Sequence, residues 1–102
     1  MRIIVGKSEK RIIRLLAEKG GAYPSMIALV KDYISRYGYG FYTRRWLRVF
    51  ARRLYRMREK GLVEVISEPG RREKSIILQP LGWAYFVKII KGELDEGKDK
   101  QL

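Results

Sequence analysis

Residues 62–79 read LVEVISEPGRREKSIILQ, two short β-prone runs on either side of a Pro-Gly turn. Runs of this kind, bounded by turn residues, pair as a β-hairpin. One further β-prone run, RIIV at 2–5, reads as a short arm or an edge strand. Elsewhere the apolar residues recur at helical spacing. A hairpin set among helices makes a small α+β domain. In 102 residues there is room for one hydrophobic core and not for two.

The helices carry their own punctuation. Ser8 is placed to cap a helix running to about Lys19, with Ile12, Leu15 and Leu16 on one face and Gly20-Gly21 as its stop. Pro24 suits the first turn of a second helix, in which Met26, Ile27, Val30, Tyr33 and Ile34 recur at helical spacing. YGYGFY, residues 37–42, is a turn, because two glycines two apart break a helix. Thr43 caps a third helix running to about Lys60, and Gly61 ends it. Pro80 opens a last one, PLGWAYFVKIIKG, ending near Gly92. The domain is thus residues 1–92, followed by a charged tail, ELDEGKDKQL, at 93–102.

Helix, helix, turn, helix, hairpin, helix is the element order of a winged helix-turn-helix domain: three helices, a two-stranded wing and a C-terminal helix. Local detail agrees. RMREKGLVEV (56–65) resembles the end of the recognition helix entering the wing in MarR, PadR and ArsR-like transcription regulators. There an apolar residue, here Met57, stands four before a glycine, and GLV starts the strand. ILQPLGWAYF (77–86) is similar to the wing exit of those families, where a Leu-Thr-x-x-Gly run opens the next helix; Gln79 stands in place of the usual Thr. The resemblance covers roughly residues 8 to 90. The chain departs from it at YGYGFY, which is more aromatic and glycine-rich than the usual short polar turn.

Charge narrows the partners. The net charge is +12, and residues 1–92 hold 21 of the 23 basic side chains and 7 of the 11 acidic ones, a balance of +14. A polyanion such as nucleic acid is the expected ligand. The bias is sharpest in the third helix. Projected at 100° per residue, Leu47, Phe50, Leu54 and Met57 form one apolar stripe and Arg45, Arg48, Arg52 and Arg56 stand opposite. Residues 43–60 carry seven arginines and Lys60 against one acid, Glu59. Like charges three and four apart on a helix repel, and a solvated thermophilic helix mixes both signs. Phosphates lying along the arginine face would remove the repulsion.

Geometry divides these arginines. Arg45 to Arg56 spans about 16 Å at 1.5 Å per residue, while the major groove of DNA is about 12 Å wide. The N-terminal part of a recognition helix enters that groove. Thr43, Arg44, Arg45 and Arg48 are therefore expected at base edges or nearby phosphates, and Arg52, Arg53 and Arg56 against the backbone. Val49 is either a thymine-methyl contact or an ordinary surface valine. At the wing tip, Arg71, Arg72 and Lys74 are expected to reach flanking phosphates or the minor groove. Of the aromatics crowding the turn, Phe41 and Trp46 are expected to cover the core and Tyr39, between two glycines, to be exposed. Interleaved basic and aromatic residues can also stack on unpaired bases.

The last helix is apolar nearly all round. Trp83, Phe86, Val87 and Ile90 read as its core stripe, which leaves Leu81, Tyr85 and Ile89 to be covered by a second copy or by RIIV of the same chain. A two-fold dimer matches palindromic half-sites.

The chain has no Cys and no His, which excludes disulfides, thiolate or imidazole zinc sites and His-based catalysis. Its glycines spell no P-loop, and Asp32 is the only aspartate before the tail, so no carboxylate-metal site is legible. Neither an enzyme activity nor a cofactor or metal is expected. No apolar run approaches the roughly 20 residues of a membrane span, and MRIIVG is too short for the apolar core of a signal peptide. A cytoplasmic protein is expected, and abundant Arg, Lys and Glu without Cys also suit a thermophile. The sequence therefore points to a homodimeric regulator that binds double-stranded DNA with sequence specificity. An RNA-binding winged helix of a ribonucleoprotein and a sequence-independent architectural DNA protein stay open beside it.

Overall fold

The computed structural model describes residues 4–92. The domain is α+β, with four helices and a three-stranded antiparallel sheet. In chain order these are α1 (Lys7–Glu18), β1 (Ala22–Tyr23), α2 (Met26–Tyr37), α3 (Arg44–Glu59), β2 (Val63–Ile66), β3 (Ser75–Leu78) and α4 (Pro80–Ile90). The expected tail at 93–102 lies outside the described residues, as do Arg2 and Ile3 of the RIIV run; Ile4 and Val5 are not in a strand.

β2 and β3 form the expected hairpin, with Val63 opposite Leu78 and Val65 opposite Ile76. All four side chains are buried, so the strand alternation places one face of the hairpin on the core. The sheet has a third strand that the sequence did not announce. Ala22 and Tyr23 pair with Ile77 and Ile76 on the far edge of β3, giving the order β1-β3-β2. The Leu78 amide donates to the Gly21 carbonyl at 2.7 Å, extending the ladder by one bond.

That strand moves two expected helix starts. Because the chain is extended through Tyr23, Pro24 stays outside α2, and Ser25 caps it by accepting from the Ala28 amide at 3.2 Å. At α1, Gly6 rather than Ser8 is the N-cap residue. Glu9 decides this. Its Oε1 accepts from the Gly6 amide at 2.9 Å, while its two oxygens receive the Lys60 ammonium at 2.9 and 3.0 Å. Glu9 is only 5% exposed, and this pair ties the start of α1 to the end of α3.

Ile12, Ile13 and Leu16 of α1, Leu29 and Val30 of α2, and Phe50, Leu54 and Met57 of α3 are sealed from solvent and meet Leu62, Val63 and Ile76 in one core. Burying each such side chain stabilises the fold by about 1.5–3 kcal/mol before ordering costs. α3 follows the projection: Phe50, Leu54 and Met57 face in, with Leu47 half-buried at the rim.

α4 does not follow it. Gly82 sits so close to the Leu62 carbonyl and the Leu78 side chain that a Cβ there has no space. This contact fixes the roll of the helix. Gly82, Tyr85, Phe86 and Ile89, at helical spacing from one another, turn inward and pack along α1 and the core. Ile89 is 6% exposed and Tyr85 half-buried, so neither forms the free second face expected of them; of that set only Leu81 is exposed. Trp83, Val87 and Ile90, expected in the core, face outward at 37%, 41% and 57% exposure. Gly21, with φ +100°, lies against the Trp83 ring, where a side chain would collide. Among the described residues, no helix is long and apolar enough to cross a membrane.

Candidate nucleic-acid interface

The interface is built on α3 and the elements at its two ends. Thr43 accepts from the Trp46 amide at 3.4 Å, and Gly61 at φ +81° turns the chain into β2. The inward pull of Phe50, Leu54 and Met57 then sets the opposite face to solvent. Arg44, Arg45, Arg48, Arg52 and Arg56 are all exposed there, together with Val49 at 40%. None of these five arginines has an acidic or hydrogen-bonding partner among the described residues. Arg53 is half-buried with its guanidinium 5.5 Å from the Phe50 ring centre, and Arg58 lies 4.9 Å from that of Tyr55.

Four of the carboxylates are used elsewhere. Glu9 holds Lys60; Glu18 pairs with both Arg14 and Arg36; Asp32 accepts from the Tyr23 hydroxyl at 2.7 Å; Glu68 pairs with Arg71. Arg36 holds the Glu18 carboxyl below its usual range, chiefly through a hydrogen bond. Burial, and then the bond to Asp32, push the Tyr23 hydroxyl up. Glu9, Glu18 and Glu68 thus neutralise cations on other faces, and the outer face of α3 sets its five arginines against one acid, the exposed Glu59 three residues after Arg56.

The hairpin cations divide differently from expectation. Arg71 donates to the Pro24 carbonyl at 2.9 Å and pairs with Glu68, while Lys74 donates to the Tyr55 hydroxyl at 2.9 Å. Both therefore fasten the hairpin, one to the start of α2 and one to α3. Arg72, exposed, has no such bond among the described residues. Between hairpin, α2 and α3 runs a cleft of about 500 Å³, with Met26, Leu47, Ala51 and Tyr55 in its wall and Arg48, Arg72, Glu73 and Lys74 along it. The sequence did not reveal this cleft, because its wall is assembled from three elements.

In the turn before α3, Tyr39 is exposed at 46%, as expected. Tyr39 stacks on Tyr33 with ring centres 5.8 Å apart and an interplanar angle of 9°, and its hydroxyl accepts from Arg11 at 2.8 Å. Trp46 is half-buried, 5.4 Å from the Tyr39 ring and 6.2 Å from that of Phe50, as expected of a residue covering the core. Phe41 does not cover it: the side chain is 87% exposed.

No known family model, curated protein or solved structure matches the chain. The functional reading therefore rests on this geometry. Five guanidinium groups along one helix, without partners among the described residues and with the Arg72 hairpin beside them, form a surface suited to a run of phosphates. Guanidinium groups bind phosphate oxygens or guanine edges through paired hydrogen bonds.

Proposed function

We propose that this protein is a winged helix-turn-helix protein that binds double-stranded DNA and regulates transcription. In this reading α2 and α3 are the helix-turn-helix pair, with α3 the recognition helix, and the β2–β3 hairpin is the wing. One observation carries the proposal: α3 is anchored by its apolar stripe while five exposed arginines on its outer side form no ion pair among the described residues. Repulsion along that face opposes helix formation in the free protein and is relieved when phosphates neutralise it.

The N-terminal part of α3 enters the major groove, so Thr43, Arg44, Arg45 and Arg48 read base edges or adjoining phosphates. Arg52, Arg53 and Arg56 lie along the backbone, with Arg53 the least extended because it lies against Phe50. On the wing, Arg72 makes the flanking contact, while Arg71 and Lys74 hold the hairpin in position for it.

The test is a set of alanine variants titrated against a selected site and a scrambled duplex at several salt concentrations. Arg45→Ala and Arg48→Ala are expected to lose about 1–3 kcal/mol of discrimination. Arg52→Ala and Arg56→Ala should weaken both duplexes equally and reduce the salt slope by about one. Equal, interchangeable losses at all four positions would remove the groove-reading part of the proposal and leave a sequence-independent binder.

A further inference from the structure

Phe41 is the most exposed large apolar side chain among the described residues, and its neighbours make that exposure informative. Tyr39, two residues before it, is stacked on Tyr33 and bonded to Arg11. Tyr42, immediately after it, has the Lys31 ammonium 5.5 Å from its ring centre. Thr43 then caps α3. The chain on both sides of Phe41 is thus pinned to the body, and Gly40, at φ +92°, supplies the bend that holds the residue out. An aromatic cluster of Tyr33, Tyr37, Tyr39, Trp46 and Phe50 lies close by, yet Phe41 does not join it. Three residues later begins the arginine face.

We propose that Phe41 stacks on an unpaired base, so that the preferred ligand is duplex DNA interrupted by an unpaired nucleotide. The occupant follows from charge and shape together. The arginines beside Phe41 select a polyanion, and the flat molecular faces a nucleic acid offers are its bases. In a continuous duplex those faces are already stacked, and inserting a side chain between them costs the unstacking. A base out of its pair offers the same contact without that cost. Phe41 thereby adds a preference to the backbone contacts of α3 and rests on the same reading of that helix.

Fluorescence anisotropy at fixed salt tests this with three labelled probes: a continuous duplex, the same duplex with one central unpaired nucleotide, and the corresponding single strand. Wild type is expected to bind the interrupted duplex about tenfold more tightly than the continuous one. Phe41→Ala should bind both alike, at the wild-type affinity for the continuous duplex, and Phe41→Tyr should restore the preference. A 5-iodouracil at the unpaired position should photo-cross-link to Phe41 in the wild type. Equal wild-type binding of the two duplexes, tightest binding of the single strand, or a preference that survives Phe41→Ala, overturns the proposal while leaving α3 as a duplex binder. No binding of any probe overturns both.

Discussion

In an ordinary helix, replacing glycine by alanine stabilises by roughly 0.5–1 kcal/mol. At Gly82 the sign should reverse, because the added methyl meets the Leu62 carbonyl and the Leu78 side chain. Overpacking of this kind costs about 1–3 kcal/mol. Gly82→Ala is therefore expected to lower the urea midpoint with an unchanged slope, and a raised midpoint would show that the contact does not set the roll of α4. The same residue explains why the packed face of α4 differs from the expected one. Hydrophobicity alone gave two nearly equal stripes, and the choice between them was made by one residue with no side chain. Phe41 is a second case. Its composition matches that of its packed aromatic neighbours, and only the backbone path through Gly40 tells it apart. Phe50, Leu54 and Met57, in contrast, were legible as a stripe because the other side of α3 is almost wholly basic.

Among the elements, the β2–β3 hairpin and the long helices were readable because each has several residues at a defined period. β1 was not, since two residues have no period; it exists because the edge of β3 has backbone groups to pair. The hairpin itself depends on contacts far apart in sequence. Lys74 is bonded to Tyr55 across the cleft, and Arg71 to Pro24. Tyr55→Phe keeps the ring against Lys74 and removes the hydroxyl acceptor. We expect it to cost about 1 kcal/mol of stability. Amide exchange in β2 and β3 should rise while exchange in α1 stays unchanged. Uniform acceleration throughout the domain would mean that this bond supports the whole fold and not the hairpin.

For the molecule as a whole, the distribution of charge says more than its sum. The carboxylates of Glu9, Glu18 and Asp32 are engaged on α1 and α2 or at the far end of α3, and none neutralises the outer arginines. Folding thus gathers five exposed arginines on one face of α3, a concentration that the net charge of +12 implied but could not locate. The apolar cleft beside Arg48 and Arg72 and the outward Trp83, Val87 and Ile90 complete a surface whose sides have distinct chemistry. The central claim is that the positive face takes duplex DNA. A fluorescence-anisotropy competition at physiological salt tests it most directly. Labelled random duplex DNA is bound by the protein and challenged with unlabelled duplex DNA, duplex RNA and single-stranded RNA of equal length. Duplex DNA is expected to compete best, with the Arg45→Ala, Arg48→Ala double variant binding the label more weakly. Competition by either RNA at a tenfold lower concentration, about 1.4 kcal/mol in its favour, would contradict the account, and so would no measurable binding of the label.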